Sequence, residues 1–228
     1  MESDTRIEHA NQLVIGGDLP DGVTPFMIRE VALSDTDVSR AHHAVVLLPG
    51  IGGLGHSLYS VGRQLKAEYV IGFHLFDANA AGLMQLADQV VDQLQLLPNV
   101  LCPSFVGHSL GGCLAYLCHQ RWFERTGMQG QLVVVDSFPL VGGQKSWMKL
   151  GYGFLSLIGQ QVEFTRLPRD SELNSSESVM DFIADNSHLH SDELTQLNKI
   201  WTVYQRQASY SFVPKAASVE RLSHISAR

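Results

Sequence analysis

Ser109 sits in Gly107-His108-Ser109-Leu110-Gly111, with a glycine two positions to either side, and is the best-placed nucleophile in this chain. A serine hydroxyl attacks a carbonyl carbon only with help. A base must take its proton, an acid must orient that base, and amide donors must receive the negative charge that builds on oxygen. Glycines at this spacing let a strand and a following helix approach without Cβ clashes, which puts the serine on a sharp turn at a helix N-terminus. Backbone N–H groups and the helix dipole there favour a developing anion. The amide of Leu110 is the first candidate donor. His108 is read as a packed residue of the turn, its ring pointing away from Ser109. A glycine-rich strand–helix turn holding an incidental serine would show the same five letters, so the flanking elements decide.

A second glycine cluster, Gly50-Ile51-Gly52-Gly53-Leu54-Gly55, also follows an apolar run, and Asp77 closes the next one. Taken literally this is a dinucleotide-binding pattern with a ribose-binding acid downstream, the mark of an NAD(P)-binding oxidoreductase. Pro49 precedes the first glycine, however, and the helical pattern begins only near Ser57, so the motif does not itself open a helix. In a hydrolytic site the same turn has another use: beside Ser109, at the C-terminal edge of a parallel sheet, the amide of Ile51 would be a second oxyanion donor. Asp136 ends the apolar run Gln131–Val135. It stands either as the acid of a catalytic triad or as the cap of the next turn.

The elements needed to hold these groups are present. Ala44–Leu48, Tyr69–Phe76, Cys102–Val106 and Gln131–Val135 are short apolar runs rich in β-branched residues, the pattern of buried parallel strands. Phe26–Leu33 alternates as a further strand. Between the runs lie helical segments at Ser57–Lys66, Gly82–Leu97 (stopped by Pro98) and from the serine turn to about Arg125. Strand alternating with helix predicts an α/β fold with a mostly parallel, doubly wound sheet. From about Leu140 three helical stretches, Gln144–Ile158, Ser176–Ala184 and Ser191–Ala208, follow without a strong strand and read as a lid, and Ser218–Ala227 reads as one late strand.

Composition narrows the function classes. With 45% hydrophobic and 17% charged residues over 228 positions, the chain suits one folded domain. A net charge of −7 and no Lys/Arg run speak against a nucleic-acid surface. Cys102, Cys113 and Cys118 show no paired spacing, and the polar N-terminus has no leader pattern. No segment approaches the roughly 20 apolar residues of a membrane span. These features predict a cytoplasmic protein. The histidines lack metal-ligand spacing with acids, so neither a metal nor an organic cofactor is expected.

Leu48-Pro-Gly-Ile51 with its following glycines, Leu86-Ala87, and Gly107-His-Ser-Leu-Gly-Gly-Cys-Leu-Ala115 together resemble the type I thioesterase domains of nonribosomal peptide, polyketide and fatty-acid synthases. The similarity continues through Thr126-Gly127 into Leu132-Val-Val-Val-Asp136-Ser137, and returns faintly at Val213-Pro214. The resemblance implies an α/β-hydrolase with a helical lid insertion. It implies a substrate acyl or peptidyl group presented on the phosphopantetheine of a carrier protein, with Ser109 and Asp136 catalytic and the amides of Ile51 and Leu110 holding the oxyanion. The division expected is a leader and first strand over 1–43, a hydrolase core over 44–140, a lid over 141–212 and a late strand over 213–228.

The base is the weak point. In this fold the order is serine, acid, histidine, and only His188, His190 and His224 follow Asp136. The first two fall within the lid, and His224 lies inside the late strand. The family places its histidine beyond a further helix and strand, so the ending reads as truncated. A base beyond Arg228, His224 itself, a base from another chain, or a degenerate hydrolase that binds without turnover all stay open. The expected outcome is therefore weak catalysis. Turnover of a short acyl-pantetheine thioester by the chain ending at Arg228 should barely exceed that of Ser109→Ala, since losing a triad member leaves only about 10³–10⁴-fold over water. Efficient, Ser109-dependent turnover would show that this chain contains its base.

Overall fold

The computed structural model describes residues 19–30, 43–97, 100, 102–137, 146–159 and 161–212. Five strands form one sheet in the order β1-β3-β2-β4-β5: β1 (Gly22–Glu30), β2 (Ala44–Leu48), β3 (Tyr69–Phe76), β4 (Ser104–His108) and β5 (Gln131–Val135). β2, β3, β4 and β5 run parallel, and β1 pairs antiparallel with β3. The parallel strands fall within two residues of the predicted apolar runs; β2 and β3 are buried along nearly their whole length, as strands covered on both faces must be, whereas Val133, Val134 and Val135 of the edge strand β5 are exposed. β1 differs from expectation. It begins at Gly22 rather than Phe26, pairing Gly22 with Phe76 and Glu30 with Tyr69, while 31–33 lie outside the described residues. Pro25 hides this strand from a propensity reading, yet at the edge of a sheet its missing N–H need not break a ladder.

Helices cover both faces. A 3-10 turn (Gly55–Leu58) leads into α1 (Tyr59–Gln64), which packs on the face of Val45, Leu47 and Val70. α2 (Leu83–Leu96) and α3 (Leu110–Thr126) cover the opposite face, burying Leu86, Val90, Leu114 and Leu117 against Val46, Ile71, Phe73 and Phe105. Gly127 ends α3 in the left-handed region, φ 70°, its N–H returning to the Phe123 carbonyl at 2.9 Å, a turn that favours glycine. Arg125 of α3 also pairs with Asp88 and Asp92 of α2, but these groups are partly exposed, and such pairs add little beside the apolar seam.

Three further helices, α4 (Trp147–Ile158), α5 (Ser176–Asn186) and α6 (Ser191–Ala208), form a cap with its own core. Phe154, Ile158, Val179, Ile183, Leu197, Ile200 and Trp201 bury one another, and this cluster reaches the sheet through Leu54 and Phe76. The expected late strand at Ser218–Ala227, with His224, lies outside the described residues. No helix among the described residues is long and apolar enough to cross a membrane.

Phe105, fully buried on β4 beneath α3, sets a measurable scale for the core. Phe105→Ala should lower unfolding free energy by about 3–5 kcal/mol, whereas Leu167→Ala, at an exposed site, should change it by less than about 0.5 kcal/mol. Urea titration of both variants checks this. Equal effects would mean that the sheet–α3 interface is not the core.

Candidate active site

β4 ends at His108, Ser109 turns the chain, and α3 starts at Leu110. Ser109 has φ 56° and ψ −123°, a strained conformation for a residue with a side chain. Its N–H donates to the Val135 carbonyl at 3.0 Å, and its own carbonyl accepts from Gly112 N–H at 3.0 Å. The turn is tight because the flanking positions carry no Cβ. One at Gly107 would sit 1.9 Å from the Gly111 carbonyl oxygen, and one at Gly111 would sit 2.2 Å from that of Leu48. The first apolar strand, the serine turn and the helix start are thus packed backbone against backbone.

Beside this turn lies the second glycine cluster. Gly52 and Gly53 both have positive φ, 95° and 70°, and Gly53 N–H donates to the Gly50 carbonyl at 3.3 Å. The Gly52 amide donates to Gln207 Oε1 at 2.8 Å. Among the described residues the amides of Ile51 and Leu110, the two donors expected from the sequence, have no acceptor. Ser109, Ile51 and Gly50 line one cleft of about 570 Å³ beneath the cap, together with Leu54, His56 and Leu157. Tyr204 of α6 also reaches it. Its ring packs against both Phe154 and Trp201, and its hydroxyl approaches Gly153 so closely that a Cβ there would lie 2.4 Å away.

Asp136 follows β5 directly, at the same C-terminal edge as Ser109, with φ 46° and an exposed carboxylate. His108 corrects the sequence expectation of a packed ring. It is half exposed, lines the same cleft as Ser109, and brings Nε2 to 4.0 Å from Asp136 Oδ2. It is the last residue of its strand, opposite Val135 of β5. His190 caps the start of α6, where its backbone N–H donates to Glu193 Oε2 at 2.7 Å.

The dinucleotide reading of the Gly50–Gly55 turn meets two obstacles. Amides that would cradle a pyrophosphate are already bonded at Gly52 and Gly53, and both Asp77 oxygens accept local bonds, from Asn79 N–H at 2.8 Å and Gln89 Nε2 at 2.6 Å. No His/Cys/Asp/Glu cluster able to hold a metal occurs among the described residues.

Sequence reasoning missed Tyr204 and Leu157, which the cap brings to the cleft, and Gln207, which bonds the neighbouring glycine turn. Its signal was legible: a glutamine on the apolar stripe of α6 with Leu197, Ile200, Trp201, Tyr204 and Ala208 is a polar group in a core position.

The sequence matches no protein-family model and no curated protein. In structure it is similar to the Vlm2 thioesterase domain, with a TM-score of 0.53 at 16% identity over 84% of this chain and 72% of that one. A second Vlm2 thioesterase structure, bound to a tetradepsipeptide through genetically encoded 2,3-diaminopropionic acid, gives 0.50 at 14% identity, covering 84% and 70%. The type II thioesterase YbtT, from the yersiniabactin NRPS/PKS biosynthetic pathway, overlaps at 0.44 with 14% identity, covering 82% and 70%. The fold is that of an α/β-hydrolase, as expected.

Behind the cleft, His74 of β3 stacks against Phe26 and Phe76, with His56 at 4.5 Å between ring centroids. Burial, with the neighbouring His56 adding to it, pushes the His74 imidazole down to about 4, and burial lowers His56 as well. A folded-state value below the ordinary 6.5 means that the unfolded chain binds the proton more readily. Stability from this pair is therefore complete above about pH 6.5 and drains away as pH falls toward 4. Thermal melts across that window should show His74→Phe with a flatter pH dependence than the parent. An unchanged slope would rule out His74 as its source.

Proposed function

We propose that this protein is a thioesterase that releases an acyl or peptidyl group from the phosphopantetheine of a carrier protein through an acyl-enzyme on Ser109. The observation that carries this reading is the strained Ser109 turn, opening into a cleft with the unengaged amides of Ile51 and Leu110 beside it. The hydroxyl oxygen attacks the thioester carbonyl, and the two amides receive the charge on its oxygen. Collapse expels the pantetheine thiol and leaves the acyl ester on Ser109, which water or a nucleophile within the acyl chain then releases. Asp136 orients the histidine that moves these protons. That base must enter the space between Ser109 and Asp136, bordered by His108, and His224 or a residue beyond this sequence would supply it. The chemistry needs no metal or organic cofactor. The partner is a carrier protein rather than nucleic acid or membrane. The setting we assign is cytoplasmic, in keeping with Cys102, Cys113 and Cys118 forming no disulfide with one another.

A thiol at position 109 separates acyl transfer from the question of the base, because thiolate forms at neutral pH without one. Ser109→Cys mixed with a short acyl-pantetheine thioester should gain the mass of one acyl group, and Ser109→Ala should gain none. Acylation of the cysteine together with negligible turnover by the parent would show that the acyl-transfer site is built and that no histidine of this sequence serves as its base. No acylation of the cysteine would overturn the thioesterase reading.

A further inference from the structure

The turn that carries Ile51 cannot hold itself. Two of its residues are glycines with positive φ, and glycine has the greatest backbone freedom of any residue. β3 runs past its pairing with β2, whose last partner there is Gly72, so the edge of Phe73–Phe76 facing β2 would lie open. The turn occupies that edge: Leu75 N–H donates to the Gly53 carbonyl at 3.0 Å. The remaining contact comes from the cap. Gln207 is 2% exposed, accepts from Gly52 N–H at 2.8 Å and donates from Nε2 to the Leu75 carbonyl at 3.1 Å. Only one orientation of the amide satisfies both partners. The result is a closed ring of hydrogen bonds, Gly52 to Gln207 to Leu75 to Gly53, with Leu157 of α4 packed so close that a Cβ on Gly52 would lie 2.8 Å from its Cδ2.

We infer that Gln207 is a positioning residue for the oxyanion site: by binding the Gly52 amide and fixing it to β3, it sets the direction of the adjacent Ile51 N–H. This rests on the thioesterase reading, in which Ile51 and Leu110 receive the developing charge. Gln207 touches no reacting atom. It selects which amide of a three-amide turn faces the cleft: Gly53 is bonded within the turn, Gly52 is bonded to Gln207, and Ile51 is left. It also makes the site depend on the cap, since Gln207 lies in the last turn of α6.

The test compares two reactions of one thiol. In Ser109→Cys, acylation by an acyl-pantetheine thioester passes through a tetrahedral oxyanion: the cysteine S–C bond forms, the pantetheine C–S bond breaks, and the departing thiolate takes a proton from water. Alkylation of the same thiol by iodoacetamide displaces iodide and builds no oxyanion, so it reports access and thiolate content alone. Adding Gln207→Met, close in volume and unable to accept from Gly52 or donate to Leu75, should slow acylation by about 10- to 100-fold and leave alkylation unchanged. Losing an oxyanion donor outright typically costs about 10²–10³-fold, and here the donor is misaimed, not removed. Gln207→Glu keeps the acceptor for Gly52 but loses the donor to Leu75, and should give a smaller loss. It is read alone if circular dichroism shows that Gln207→Met fails to fold. Acylation unchanged, or acylation and alkylation falling together, would overturn the inference. Failure of Ser109→Cys itself to acylate, while still alkylated, overturns the thioesterase reading and this inference with it.

Discussion

An alanine Cβ at position 107 would fall 1.9 Å from one carbonyl oxygen, and at position 111 it would fall 2.2 Å from another. Those two approaches bring the end of β2, the end of β4 and the first turn of α3 into backbone contact, which no other residue type permits. The strained φ of Ser109 follows, because the chain must reverse within one residue to enter a helix already pressed against the sheet. The position of the glycine turn follows too, since Gly111 abuts the carbonyls of Leu48 and Pro49, from which that turn departs. Core burial beneath α3 supplies the free energy that keeps such a junction closed.

The site is shared between two bodies with different means. The sheet edge contributes geometry through close backbone packing, and it presents Ser109, His108 and Asp136 at neighbouring strand ends. The cap contributes hydrogen bonds and walls, through Gln207, Tyr204 and Leu157. Neither half forms the cleft alone, and the apolar contact joining them is narrow, centred on Leu54 and Phe76.

Much of this is legible in the sequence. The four parallel strands lie within two residues of their apolar runs, and for β2 and β3 the reason is that doubly covered strands leave little compositional freedom. The serine turn was legible because close approach admits only glycine at 107 and 111. β1 was displaced because Pro25 masks an edge strand, and His108 was misplaced because local spacing does not reveal where a sheet edge opens into a cleft. Gln207 could be noticed as a polar residue on an apolar stripe. Its partners could not, since Gly52 and Leu75 lie on other elements and expose only backbone groups, which carry no letter in a sequence.

The attachment of α6 has a mechanical consequence. Among the described residues its polar links to the sheet side come from one end: Gln207 to Gly52 and Leu75, and Arg206, with Tyr210 just beyond the helix, to the carbonyl of Ala80. An 18-residue helix is about 27 Å long, so a rotation of about 10° about that end carries the other by about 5 Å. A helix pinned this way is a lever with its fulcrum beside the Gly52–Gly53 turn: any rotation about that end displaces the far end most and the atoms around Ile51 least.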